Sequence, residues 1–438
     1  MKKIKSFLRG FGLFLLLAVF LIAWIALPWP ALLGAAVLFA LWMMLTRSGR
    51  QATSVTQVGI STLAQRIGAS SVVVVGIAGV VGVLVALLAM SEGYRHTVNS
   101  SGSEDVAIVL RGGSSAELTS VLSREQITAI ERAPQVARDA QGKPLASPEL
   151  VVAANLPRHD GEEGSATLRG VGEMAFAVRP QLKLVDGRRF EPGRRELVVG
   201  TGAQRQFSGL TVGKQVRLGN QPWTVVGVFD SPGSTASEIW ADADVVATTY
   251  RRGSSRAAVY AKLNSAKDFN AFKATLATDP RLQVEADTTL GYFGKQSEQL
   301  TNILRIIGIV VGSIMAIGAI FGALNTMFAT VAARAREIAT LRAIGFRGMP
   351  VVIAVMLETM LLALLGGALG GLIAWLVFNG YSASTIAGGV SSMSFQFKVG
   401  PALLWEGLKW ALAIGFIGGL FPALRAASLP VTDALRSA

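Results

Sequence analysis

Arg334-Ala335-Arg336-Glu337-Ile338-Ala339-Thr340-Leu341-Arg342-Ala343-Ile344-Gly345 is a short basic helix set between two apolar segments, 303–331 and 351–378, each long enough to cross a bilayer. Ile338, Leu341 and Ile344 recur near one face, whereas Arg334, Glu337 and Thr340 fall on another. Gly345 stands where a left-handed residue closes a helix. Held at the membrane surface by a span on each side, such a helix is placed to receive force from a cytoplasmic partner.

Working outward, the 438 residues are 51% hydrophobic with mean hydropathy +0.48, too apolar for one soluble domain and too interrupted for a bare bundle. Apolar runs at 71–90, 303–331, 351–378 and 403–424 each reach the roughly 20 residues that a hydrocarbon core requires. Two shorter runs, 11–27 and 31–45, flank Pro28-Trp29-Pro30. The expected fold class is an α-helical transmembrane bundle, four helices plus an N-terminal hairpin, carrying a large extracytoplasmic mixed α/β domain.

The net charge of +13 is unevenly spread. Segments 1–10, 46–68, 332–350 and 425–438 hold thirteen Lys and Arg against Glu337 and Asp433, while 92–300 is close to neutral. Short basic flanks stay in the cytoplasm and large domains translocate regardless of charge, so both termini are expected inside and 92–300 outside. The sequence pI of about 10.3 thus points to membrane flanks rather than nucleic acid. The chain has no cysteine, which excludes a disulfide framework and thiol chemistry.

The expected organisation is a transmembrane hairpin at 1–50, an interfacial amphipathic segment at 51–68, and a first core span at 69–91. The external α/β domain and its stalk follow at 92–300, then a span at 301–331 and the cytoplasmic helix region at 332–350. A span at 351–379, a short external loop at 380–401, a span at 402–424 and a cytoplasmic tail at 425–438 complete it. A cleaved signal peptide competes with the hairpin, but no Ala-x-Ala site closes the first run. Along 56–67, Val58 or Ile60, Leu63 and Ile67 share one side, as in an interfacial helix or a plain linker.

Within 92–300, Ser123 with Gln126 reads as a capping box, and Gly219-Asn220 breaks 212–228 into a hairpin. Strand-like runs at 106–110, 150–154, 196–199 and 257–263, with helical stretches between them, suggest a mixed α/β region in which a β-rich subdomain, about 145–250, is inserted into an α/β one. Leu290, Phe293, Leu300 and Leu304 at helical spacing lead a stalk into the next span. Gly308/Gly312, Gly318/Gly322, Gly366/Gly370 and Gly415/Gly419 are GxxxG pairs that favour close helix packing and a second copy of the chain.

No P-loop occurs, since the runs at 209–215 and 291–296 fail in spacing and final hydroxyl. His96 and His159 lack metal-ligand or triad partners, and no Gly-x-Ser-x-Gly is present, so no catalytic residue, cofactor or metal is assigned. Glu358 is an acid well inside a span, either functional or a fastener of helix register, with Asn325 as a candidate partner.

The run Asn325-Thr326-Met327, the segment Arg334 to Gly345, Glu358, the glycines at 366–371 and the ending Pro422-Ala423, Pro430, Asp433-Ala434-Leu435-Arg436 resemble the ABC permease family of MacB, FtsX and LolC/LolE. The resemblance spans roughly 55–438 and implies four spans with an external domain after the first. It implies that Arg334, Arg336, Glu337, Ile338, Leu341, Arg342, Ala343, Ile344 and Gly345 form a coupling helix on a cytoplasmic ABC ATPase, where ATP and Mg would bind. It further implies a homodimer in a bacterial inner membrane, working with a periplasmic adaptor and an outer-membrane channel. Export or extraction of a lipoprotein, lipid, peptide or drug is the expected activity. A non-transporting relay that regulates a periplasmic enzyme, or a membrane-anchored sensor without an ATPase, competes with it.

Overall fold

The computed structural model describes residues 23–24, 26–61, 67–279, 282–387 and 391–428. The first arm of the expected hairpin, Leu63 of the interfacial segment and the closing residues Pro430, Asp433, Ala434, Leu435 and Arg436 lie outside them. Among the described residues three helices lead: α1 (Trp29–Leu45), α2 (Arg47–Ser61) and α3 (Ile67–Asn99). Next come β1 (Val106–Arg111), α4 (Arg124–Glu131), β2 (Ala146–Pro157), β3 (Glu163–Val171), α5 (Met174–Val178), β4 (Lys183–Gly187), β5 (Glu196–Gly200) and α6 (Thr201–Gln206). They are followed by β6 (Gln215–Leu218), β7 (Gln221–Asp230), β8 (Glu238–Asp242), α7 (Ala243–Thr249), β9 (Ala258–Lys262), α8 (Phe269–Ala277) and β10 (Val284–Thr288). The rest is α9 (Thr289–Ala333), α10 (Ala335–Ala343), α11 (Gly348–Phe378), β11 (Ser382–Ala387), β12 (Ser391–Gln396) and α12 (Pro401–Ser428).

Two compact units result, a helical one from Met1–Ala89, Leu304–Asn379 and Lys398–Ala438, and an α/β one from Met90–Ile303 and Gly380–Phe397. Among the described residues four helices are long and apolar enough to span a membrane, Ser70–Asn99, Thr289–Ala333, Gly348–Phe378 and Pro401–Ser428, and the bent pair Trp29–Leu45 with Arg47–Ser61 makes a fifth if it is one span. Glycine sets how closely those helices pack. A Cβ on Gly366 would lie 2.8 Å from the Val74 carbonyl of α3, and one on Gly370 would strike the Ala78 carbonyl. Gly415 and Gly419 of α12 meet Ala363 and Thr359 of α11, and Gly312 of α9 meets Leu84 of α3 at 2.8 Å. Gly318 and Gly322 face nothing within 4 Å among the described residues.

At the N-terminal side the structure departs from the expected pattern. α1 is followed directly by α2 at a 98° bend, so the helix expected near 56 begins at Arg47. Its buried residues are Gly49, Ala52, Val55, Thr56 and Gly59, while Val58 and Ile60 of α2 and Ile67 at the start of α3, read as the apolar side of an interfacial helix, are exposed. The small side chains of the buried face let α2 pack closely on a neighbouring helix.

The α/β unit is built on a ten-stranded sheet in the order β10-β1-β9-β2-β3-β8-β5-β7-β4, with β6 on β7. β6 and β7 form the expected hairpin, whose register Leu218↔Gln221 encloses Gly219 at φ 55° and Asn220 at φ 61°. Both central residues have positive φ, as a two-residue type I′ loop requires. The capping box is present: Gln126 N–H donates to Ser123 Oγ at 3.3 Å and Ser123 N–H to Gln126 Oε1 at 3.0 Å. The 380–401 stretch, expected as a loop, instead contains the β11–β12 hairpin, whose Phe395 packs edge-on to Tyr94 at 5.6 Å. Its small polar residues carry no apolar alternation to announce strands.

β2 runs in both halves of the sheet. Residues 146–149 pair with β9 and 150–157 with β3, so β2 joins the inserted strands, which enclose their own apolar core of Leu150, Leu168, Leu197, Phe207 and Trp223, to the strands on either side of the insertion. At this seam lies a buried charge network. Arg169 reaches Glu117 at 2.7 Å, Glu149 at 2.9 Å and Glu238 at 2.8 Å, and Arg179 reaches Glu149 at 2.6 Å. Tyr260 donates to Glu117 at 2.9 Å and lies under the Arg179 guanidinium at 4.1 Å. Burial pushes the Glu117 carboxyl up, but the charge and hydrogen bonds of Arg169 and the Tyr260 hydroxyl hold it below the ordinary value of 4.5.

A depressed folded-state value means that Glu117 stabilises the fold fully above pH 4.5 and that this contribution is lost as pH falls through the lower folded value. The melting temperature of the full chain in detergent, followed by circular dichroism, is therefore expected to hold between about pH 7 and 5 and to fall below that. Glu117→Gln should flatten the fall while lowering the plateau.

Candidate coupling site

α9 ends at Ala333, and Arg334 leaves the helical path at φ −99°, ψ 8° before α10 begins. Beyond Ala343, Gly345 N–H donates to the Arg342 carbonyl and Phe346 N–H to the Leu341 carbonyl, both at 3.1 Å, with Gly345 at φ 105°. This is a Schellman closure, and its glycine takes the left-handed position that the sequence reserves for it. A short helix with a hinge at one end and a firm stop at the other thus joins two spans.

Exposure along α10 differs from the face read in the sequence. Arg336, Glu337, Thr340, Ala343, Ile344 and Gly345 are exposed, Leu341 and Arg342 are half-buried, and Ile338 is buried. Ile344 therefore lies apart from Ile338, and Arg334, read with the polar face, is only 7% exposed. The break at Arg334 explains the difference, because its side chain no longer follows the cylinder of α10.

Arg334 Nη1 lies 2.9 Å from Glu358 Oε2 of α11, and Arg334 Nε lies 3.1 Å from Glu337 Oε2. Glu358 is 3% exposed. α2 lies against the pair: a Cβ on Gly59 would come within 3.2 Å of Glu358 Oε2 and 3.4 Å of Arg334 Nη1. Glu358 thus answers a cation, while Asn325, its expected partner, is exposed. The signal was available, since an acid inside a span requires a compensating charge and Arg334 opens the nearest basic segment.

α12 carries a further pair, Lys409 Nζ to Glu406 Oε2 at 2.8 Å, with Lys409 7% exposed and its carbonyl accepting from Trp24 Nε1 at 3.1 Å. In the α/β unit a groove of about 760 Å³ is lined by Tyr94, Ile108, Leu110, Tyr292, Lys295 and Ile303 among others. Among the described residues no group of His, Asp and Glu could hold a metal ion.

Residues 70–278 match the family model of the MacB-like periplasmic core domain, and 309–431 that of the FtsX-like permease C-terminal region. The macrolide export ATP-binding/permease protein MacB 1/2 of Paracoccus denitrificans is 25% identical over 391 residues, covering 83% of this chain and 55% of the relative. The uncharacterized ABC transporter permease YknZ of Bacillus subtilis is 26% identical over 317 residues, covering 64% and 72%. The crystal structure of the extracellular domain of a YknZ transporter from Gram-positive bacteria aligns with TM-score 0.33 at 20% identity, covering 42% of this chain and 100% of that one. The chain spans about half the length of the MacB relatives that it matches. With two family domains in sequence order and four helices able to span a bilayer, the chain is a multi-pass membrane protein and belongs to the MacB/FtsX-like ABC transporter permeases.

Proposed function

We propose that the chain couples a separate cytoplasmic ABC ATPase, which binds ATP and Mg, to motion of the α/β unit, and that α10 is where the ATPase docks. The observation that carries this reading is the build of α10. It is a hinged and capped short helix between two long apolar helices, exposing Arg336, Glu337, Thr340 and Ile344. The charge asymmetry supports placing α10 and both termini in the cytoplasm of a bacterial inner membrane and 92–300 in the periplasm. α9, continuous from Thr289 to Ala333, supplies a stiff element long enough to carry movement across the bilayer.

The cargo is read as a lipoprotein, lipid, peptide or drug handled on the outer side, with a homodimer, an adaptor and an outer-membrane channel as partners. Relatives named for macrolide export and, in Pseudomonas entomophila, for pyoverdine export support export over signalling.

Exchanging charges in Arg336→Glu/Glu337→Arg tests the docking. Placing like charges against a complementary surface costs several kcal/mol, so ATPase recovered in pull-down is expected to drop by at least about tenfold, and for Arg336→Glu alone, which leaves the Arg334–Glu337 pair intact, with unchanged yield and melting temperature. Undiminished recovery, with either the single or the double exchange, would overturn the reading.

A further inference from the structure

We propose that Arg334 is a positioning residue rather than a docking contact, and that α2 belongs to the same device. Glu358 pins the hinge between α9 and α10 to α11, and α2 seals that pin through Gly59, so that α10, α11 and α2 move as one body. The consequence for ATP-driven work rests on the coupling function proposed above, whereas the pin itself does not.

Three observations converge on it. The helical path breaks at Arg334, the one residue between two helices, although its N–H still donates to the Thr330 carbonyl and its carbonyl accepts from Ile338 N–H, and the side chain there is buried and ion-paired to another span. The same guanidinium also holds Glu337, so α10 is tied to Glu358 through one group. Separating α10 from α11 would leave a carboxylate or a guanidinium uncompensated in a poorly solvated place, which strongly opposes independent movement. Finally, α2 presents Gly59 where any side chain would touch both charged groups, and Thr56, one turn earlier on the same buried face, is satisfied within α2 by the Ala52 carbonyl at 2.7 Å. Water is thereby kept from the pair. α2 precedes both matched family regions, 70–278 and 309–431, so neither assigns it this part.

The chain lacks cysteine, so spin labels can be placed cleanly at Ser54→Cys on α2 and Thr340→Cys on α10, both exposed. In lipid nanodiscs, without any ATPase, the unmodified hinge is expected to give one narrow distance distribution. Glu358→Gln and Gly59→Leu should each broaden it about twofold, as a released element samples more than one state, and Glu358→Asp should restore part of the width. With the ATPase present, Glu358→Gln is expected to leave its recovery in pull-down unchanged but to cut permease-dependent hydrolysis by at least about fivefold, the scale of a lost coupling between sites.

Distances unchanged in both variants overturn the proposal. Should the Glu358 variant fail to fold, Gly59→Leu decides alone, because it leaves both charges in place. If no ATPase binds the parent chain, the coupling function fails while the distance measurement still judges the pin.

Discussion

Arg169→Ala is expected to remove about 4 kcal/mol or more from the α/β unit, a large part of the 5–15 kcal/mol that a domain typically has. Arg169 is 3% exposed and is the common partner of Glu117, Glu149 and Glu238. Arg179 still meets Glu149 when Arg169 is gone. Glu117 would retain the Tyr260 hydroxyl and Glu238 the Trp240 Nε1–H, neutral donors that do not offset a buried charge.

The loss would fall on the seam where β2 passes from β9 to β3, since Glu149 is the last residue paired with β9. Arg169→Lys is expected to recover only part of the stability, because an ammonium cannot reproduce the planar fork that serves three carboxylates. Denaturant titration of the full chain, with proteolysis of the α/β unit as a second probe, measures the effect. A midpoint within about 3 °C of the parent in thermal melts, equivalent to roughly 1 kcal/mol for a unit of this size, would contradict it.

Why the seam escaped the sequence is physical. Charged residues at alternating strand positions look like the wet face of a half-buried sheet, and nothing local in Glu149 or Arg169 says that a second layer covers them. Elements whose information is local were legible: the spans by length, the hairpin by Gly219-Asn220, the α4 start by Ser123 and Gln126, and the α10 stop by Gly345. The candidate site was half legible on the same grounds. Periodicity located α10 and hydropathy isolated Glu358, but pairing Arg334 with Glu358 depends on a helix break at Arg334 and on the packing of α2, both set by tertiary contacts. The β11–β12 hairpin was missed because Ser and Ala dominate it, while its buried Phe395 finds Tyr94 some 300 residues away in sequence.

Gly370→Leu is expected to force α3 away from α11 and cost about 3 kcal/mol or more, against little change for Gly318→Leu. In sequence the two glycines are equivalent, each one half of a GxxxG pair. They differ in what a side chain would meet. A Cβ at Gly370 strikes the Ala78 carbonyl, carbon and Cα, all backbone of α3, so no rotamer change relieves it. A Cβ at Gly318 meets nothing within 4 Å, on a helix where Ile314, Ile317 and Phe321 are also exposed. Thermal unfolding in detergent should therefore fall sharply for Gly370→Leu and stay within about 0.5 kcal/mol of the parent for Gly318→Leu. Equal losses would mean that α3 and α11 do not pack as described. Close packing of helices inside this chain thus accounts for Gly366, Gly370, Gly415 and Gly419, whereas Gly318 and Gly322 meet nothing within 4 Å among the described residues, and an effect of Gly318→Leu on association of copies is measured separately, by cross-linking in the membrane.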